Sequence, residues 1–276
     1  MYGVLCGDII GSIFEDDIEL SKSGPLFNKY SHFTDDTVLA CAVADTLMNS
    51  NEINFKKVLV DKLRYYGNKY PKAGYGEKFA VWLTTDNPRP YRSYGNGCAV
   101  RSIPIAYTSK SLEETIKKAK ESAIITHNHM EGVIGAEAMA VCVYLALDGC
   151  SKKQIRQYIE EHYYKLDMSL DKVKSFYKFN PTCPGSVPFA IMCFLESHSF
   201  QNAIRKAVSL GGDSDTLAAM AGSIAEAYYG IPDDMINEAF SYIPIELQNV
   251  FNDFYSLDIV RDKTNVVKER FRTRNL

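Results

Sequence analysis

The sequence predicts an all-α protein built as a single domain. Apolar residues recur at helical spacing through most of the 276 residues, alternating β-branched runs are nearly absent, and helix start and stop residues punctuate the ends of the periodic runs. A hydrophobic content of 46% at this length is enough to bury a large core. No low-complexity linker or shift in composition divides the chain, so residues 1–276 read as one compact multi-helix domain.

In chain order, the helical runs are 3–15, 36–49, 54–69, 111–125, 130–148, 151–164, 187–197, 199–209, 216–229 and 244–255. On the first, Gly3, Gly7 and Gly11 recur at every fourth position. Each mid-helix glycine costs about 1 kcal/mol relative to alanine, so the stripe reads as a flat face for close helix packing. Asp8, Ser12 and Glu15 share a different face of that helix, which must meet something polar. Runs 36–49 and 216–229 consist of small apolar residues on all sides, the mark of helices buried at short interaxial distance. Gly230 with Ile231 and Pro232 closes the latter, and Pro188 suits the first turn of the run at 187. The longest irregular stretches, "DNPRPYRSYGNG" at 86–97 and "KFNPTCPGS" at 178–186, are where a helical scaffold places binding groups. The basic tail 261–276 reads as a solvated face or frayed end.

A net charge of −3 and a pI near 6.0 provide no basic surplus for a nucleic-acid backbone or an anionic membrane surface. Seven cysteines, odd in number, widely spaced and without a C-x-x-C pair, read as reduced core residues of a cytoplasmic protein. The N-terminal run lacks a basic segment and contains Asp8, and no uncharged span of 18 residues occurs, so neither a signal peptide nor a membrane anchor is expected. No heptad or large apolar face is legible, and a monomer is the expectation.

Two segments stand out chemically. "FTDDTVLACAVADTLM" at 33–48 and "SLGGDSDTLAAMAGSIAEAYYG" at 209–230 each set two acids and flanking hydroxyls at the start of a small-residue helix. Asp and Thr are good N-caps, but one helix needs one cap. Asp35 with Asp36, and Asp213 with Asp215, exceed that need; Ser214 reads as a cap. Like charges beside buried helices are costly unless neutralised. Carboxylate and hydroxyl oxygens are hard ligands, which favours Mg²⁺, Mn²⁺ or Ca²⁺ over zinc, and two such ions about 3.5–4 Å apart would balance most of the charge. His127 and His129 in "THNHMEG" raise a rival zinc site, weakened by the lack of a third ligand at suitable spacing. The alternative is that they open the helix at 130, with Thr126 or Asn128 capping and one imidazole touching a ligand. The loop "SYGNGCAVR" at 93–101 offers backbone N–H groups and Asn96 to a phosphate, and Tyr91, Arg92 and Tyr94 offer stacking faces. A plain turn explains the loop equally well.

"GDIIGSIFE" at 7–15, "FTDDT" at 33–37, "GYG" at 74–76, "SYGNGCAVR" at 93–101, "THNH" at 126–129 and "GGDSDTLAAMAG" at 211–222 resemble, in order, the ADP-ribosylglycohydrolase family. The resemblance spans residues 3 to about 230. It implies an all-α fold with a dinuclear magnesium or manganese site in a cleft. It implies that Thr34, Asp35 and Asp36 form one ligand group and Asp213, Asp215 and Thr216 the other. It further implies that Glu15 lies beside the metals in a catalytic or gating role, with Asp36 and Asp215 also serving the chemistry. Gly76 and the loop residues Tyr94, Gly95, Asn96 and Gly97 match substrate-binding positions, with Tyr94 near the adenine and His127 contacting the ADP-ribose. The implied reaction hydrolyses the bond between ADP-ribose and a modified protein side chain or a small conjugate. Arginine, serine and O-acetyl-ADP-ribose are the candidate attachments, and residues 16–33 and 178–188 are the candidate rim. Two other readings remain open on the residues: a dinuclear-metal nucleotide phosphohydrolase, and a catalytically silent ADP-ribose-binding or structural member.

Overall fold

A computed structural model describes residues 1–14 and 24–274. Glu15 and residues 16–23 of the expected rim lie outside the described residues. The chain forms α1 Tyr2–Gly11, α2 Asp35–Asn49, α3 Phe55–Lys69, α4 Glu77–Thr84, α5 Gly97–Arg101 and α6 Ile103–Thr108. It continues through α7 Leu112–Ala123, α8 Met130–Leu147, α9 Lys152–His162, α10 Leu170–Lys174 and α11 Cys183–Leu195. The last elements are α12 Phe200–Val208, α13 Ser214–Tyr229, α14 Asp233–Phe240, α15 Ile245–Ser256 and α16 Asp258–Arg274. Extended pairing among the described residues is limited to one isolated antiparallel bridge, Gly95 to Thr182. The all-α prediction is correct.

The glycine stripe does what its spacing implies. A Cβ at Gly3, Gly7 or Gly11 would run into the backbone of Gly222, Ala218 or Asp215, so α1 and α13 lie backbone against backbone in the most extensive helix pair of the molecule. Ser214 Oγ donates to the Gly11 carbonyl at 2.8 Å, tying the start of α13 to the end of α1. Ser214 is therefore a tether and not a cap. At the other end of the pair, Glu226 on α13 accepts from the Gly3 N–H at 2.6 Å and from the Tyr255 hydroxyl at 2.5 Å. α8, α11 and α12 surround α13, and α2 packs on α3, α5 and α15. By length and composition α8 could cross a membrane, but it is two-thirds buried as a central helix of this bundle. All seven cysteines are free, and every one except the half-buried Cys150 is buried.

Three expectations change. α11 begins at Cys183, capped by the Thr182 side chain, so Pro184 takes the first-turn position and Pro188 sits inside the helix. Pro188 lacks an N–H, and the helix loses one backbone bond there. Helices α4, α5, α6, α10, α14 and α16 are additional to the predicted set. Those of five to eight residues are too short to display a period, and α16 is too charged to display an apolar stripe. The described part of the basic tail is helical to Arg274 and is not merely a solvated face. Its Lys263 Nζ donates to the Ala106 and Ser109 carbonyls at 2.8 and 2.6 Å, and Arg270 donates to those of Ala146 and Leu147 at 3.2 and 2.6 Å. Cations at the C-terminal ends of α6 and α8 bond the last carbonyls there and oppose the negative dipole end.

Candidate active site

The α1–α13 contact and the α1–α2 contact bring two helix starts face to face. Thr34 caps α2: its Oγ1 accepts the Asp36 N–H at 3.4 Å and donates to Asp8 Oδ1 at 2.6 Å. Asp8, fully buried, also accepts from the Thr34 N–H at 2.9 Å, the Thr37 N–H at 3.1 Å and the Thr37 hydroxyl at 2.5 Å. The polar partner required by that face of α1 is thus the first turn of α2. Sequence reasoning had placed Asp8 in the polar set without this anchoring role.

The other start is shaped by Gly211 and Gly212, with φ of +72° and +67°. A Cβ on Gly212 would lie 2.9 Å from the Phe179 backbone nitrogen, so the turn into α13 needs both the left-handed conformation and the missing side chain. Asp213 then accepts from Asn96 Nδ2 at 2.5 Å. Thr216 donates its N–H to Asp215 Oδ1 at 2.7 Å and its hydroxyl to Asp36 Oδ2 at 2.8 Å. The Thr216–Asp36 bond joins the two helix starts across 180 residues of sequence.

A cleft of about 680 Å³ opens over this junction. Its walls include Thr34, Asp35, Asp36, Asp213, Asp215 and Thr216, together with Gly76, Gly95, Asn96, Gly97 and His127. The two acid groups and the glycine loop therefore meet in one space. Tyr94 is the exception: it does not line the cleft, and its ring, 44% exposed, lies 5.1 Å from that of His129. Tyr91, one of the three loop residues with a stacking face, lines the cleft, its ring 6.0 Å from that of His127. Phe179 and Pro181 line it as members of the expected rim 178–188, whereas Arg101, Lys72, Lys78 and Glu77 also line it and were not singled out. Arg101, Glu77 and Lys78 were missed because they stand on helices too short to display a period, and Lys72 because a loop lysine carries no local signal.

The acids are electrostatically unbalanced. Burial first, then the Asp215 charge, pushes the Asp8 carboxyl up to about 6 and that of Asp35 up to about 8. Burial and the neighbouring aspartates hold Asp36 well above the usual carboxylate range, and burial with Asp215 does the same for Asp213. None of the described ion pairs includes any of these acids. An uncompensated buried charge costs several kcal/mol, and a hard oxygen donor set with surplus negative charge fits divalent magnesium or manganese. As placed, no three acidic, histidine or cysteine side chains among the described residues already surround one point. The oxygens of Asp36, Asp213 and Thr34 are instead engaged by Thr216, Asn96 and Asp8, and a bound ion would draw them away from those partners. The donor chemistry fits the ions.

The loop and histidines are more committed than their sequence suggests. The Gly95 N–H donates to Ser93 Oγ and the Asn96 N–H to the Pro181 carbonyl, while the Asn96 side chain serves Ser186 and Asp213. Gly97 lines the cleft, and its N–H has no acceptor among the described hydrogen bonds. The bridge from Gly95 to Thr182 straps the loop to the start of α11, so both long irregular stretches meet at the cleft. His129, not Thr126 or Asn128, caps α8, its Nδ1 accepting the Glu131 N–H at 3.2 Å. Asn128 instead accepts from the Arg92 N–H at 2.8 Å. His127 Nδ1 is engaged by Thr126, and burial holds its pKa well below that of a free imidazole. The two imidazoles have separate tasks, which removes the basis for a zinc site.

The helical shell thus crowds two acid groups and a glycine loop into one cleft. The model of the ADP-ribosylglycohydrolase family matches residues 1–260, and the chain belongs to that family. It is an enzyme of the ADP-ribosyl glycohydrolase class. The chain is 28% identical to human (Homo sapiens) ADP-ribosylhydrolase ARH3, with 86% of each chain covered. It is 26% identical to ADP-ribosylarginine hydrolase Tri1 of Pseudomonas putida (strain GB-1), covering 84% of this chain and 70% of that one. A solved chain described as an ADP-ribosylglycohydrolase-related protein complex shares the fold, with a TM-score of 0.64 at 23% identity and coverage of 98% and 94%.

Proposed function

We propose that this enzyme uses two Mg²⁺ or Mn²⁺ ions, held by Thr34, Asp35, Asp36, Asp213, Asp215 and Thr216, to cleave ADP-ribose from a modified protein side chain or a small conjugate. The observation that supports it most directly is the convergence of the two acid groups at the Thr216–Asp36 contact, in the same cleft as the Gly95–Gly97 loop and His127. Bound ions would neutralise the aspartates and orient the hydroxyls of the distal ribose.

The chain's own residues do the rest. Gly97 and His127 bind the diphosphate and adjoining ribose, with Gly76 on the same wall. Tyr91 takes the stacking role expected of Tyr94, since it is the aromatic on the cleft wall. The anomeric carbon passes through an oxocarbenium-like state that needs a water on one face and a proton for the leaving atom. Asp36 and Asp215 orient that water, and an acid manages the proton; the resemblance assigns Glu15 a catalytic or gating role, but that residue lies outside the described ones. Phe179 and Pro181 line the cleft and Lys72 and Lys78 sit on its wall, so this part of the rim selects the attachment.

The test offers arginine-linked, serine-linked and O-acetyl ADP-ribose side by side, with Mg²⁺ or Mn²⁺ and with chelator. Intact ADP-ribose is the expected product from at least one, with turnover lost in chelator. Release of AMP or free phosphate would assign the site to a phosphohydrolase, and ADP-ribose binding without turnover would mark a silent member.

A further inference from the structure

Arg101 is among the largest fully buried side chains, 1% exposed, and it lines the cleft. Among the described residues no carboxylate is paired with it. The hydrogen bonds described for it all leave from Nη2, to the Ser122 and Ala123 carbonyls and to Thr126 Oγ1 at 2.9 Å, while Nε has no partner among the described residues. A buried guanidinium with an unused donor is an expensive way to fill space. Its position suggests what it does: Thr126 Oγ1 lies 2.6 Å from His127 Nδ1, and Thr126 is fully buried.

Two acceptors lie near the Thr126 hydroxyl, His127 Nδ1 at 2.6 Å and the Tyr91 phenol, and the imidazole makes the close contact. Arginine can only donate, so Thr126 Oγ1 accepts from it and has its own proton to place. Sending that proton to His127 Nδ1 satisfies both groups and leaves the single imidazole proton on Nε2. The opposite tautomer would make Thr126 Oγ1 accept from both Arg101 and His127 and would leave its own proton only the more distant Tyr91 phenol. His127 Nε2 faces the glycine loop, since a methyl group placed on Gly95 would lie 3.5 Å from it.

We infer that Arg101 and Thr126 are positioning residues that lock His127 as the neutral Nε2–H tautomer, so that it presents a fixed hydrogen-bond donor to a phosphate or ribose oxygen beside Gly95–Gly97. The identity of the ligand rests on the proposed function; the tautomer does not. The arrangement suits an anionic, acceptor-rich ligand. A donor already oriented loses little freedom on binding, and the Arg101 charge lies behind it.

The experiment is ¹⁵N spectroscopy of the five histidine imidazoles near neutral pH without ligand, the His127 signals being assigned with His127→Gln, followed by titration with free ADP-ribose. The wild type is expected to show a pyridine-type Nδ1 and a protonated Nε2 at His127. Thr126→Val should shift the ring towards Nδ1–H or a mixture and raise the ADP-ribose Kd about three- to tenfold, the loss of one oriented hydrogen bond. Thr126→Ser should restore both, and Tyr91→Phe should leave the tautomer unchanged, which excludes the phenol as the acceptor. A protonated Nδ1 in the wild type, or an unaltered ring spectrum in Thr126→Val, would overturn the inference. A wild-type Nε2–H ring in a protein with no affinity for ADP-ribose would instead overturn the functional reading.

Discussion

Asp36 is expensive to keep. It is buried among aspartates that raise its proton affinity, and it has one described side-chain donor, Thr216. Replacing it with Asn removes the repulsion while preserving the shape, so in chelator Asp36→Asn should raise Tm even as activity with Mg²⁺ or Mn²⁺ disappears. Asp8 differs, because four hydrogen bonds from Thr34 and Thr37 reward its charge. Asp8→Ala strands those donors and should cost on the order of 3–5 kcal/mol, read as a lower denaturation midpoint. The pH dependence has a definite sign. Asp8 and Asp35 have folded values near 6 and 8, above the 3.8 of a free carboxyl, so the folded state holds more protons than the unfolded state between about pH 4 and 8. Their contribution in chelator is fully present below pH 4 and is lost as pH rises through 6 and then 8. Tm in chelator should therefore fall across that window, and saturating Mn²⁺ should flatten the slope; a rising Tm would contradict the unbalanced charge.

The α1–α13 pair is the element on which the site depends. Gly7→Ala would gain helix propensity in isolation, but its methyl meets the Ala218 backbone, so the helices must separate. A loss of about 1–3 kcal/mol is expected, with weakened Mn²⁺ binding because Asp215 moves with α13. A control lies at α16: Arg270→Ala removes the donors to the end of α8, about 1 kcal/mol and a Tm drop of about 2–4 °C. It should leave turnover intact. These two elements differ in legibility for a physical reason. Period-four glycines announce a helix face by themselves, whereas a charged terminal helix looks like solvent-exposed chain until the carbonyls it caps are known.

At the scale of the molecule, the acids legible as surplus caps, "TDDT" and "DSDT", do stand in one cleft, and the two longest irregular stretches meet there through the Gly95–Thr182 bridge. If the fold brings these groups together to share ions, then Asp213→Ala on one helix start should abolish Mn²⁺ binding that also depends on Asp36, and a calorimetric titration showing one full-affinity site left intact would argue against a shared site. The sequence by itself determined the helical class, the close-packed glycine face and the residue types of the acid groups, because periodicity, side-chain size and capping are local properties of consecutive residues. Tertiary structure alone decided that Asp8 serves α2, that Tyr91 and not Tyr94 lines the cleft, that Ser214 tethers α1, and that Arg101 reaches Thr126 and His127. Each of those depends on which atom lies within 3.5 Å across the fold, a distance set by helix packing rather than by neighbours in the chain.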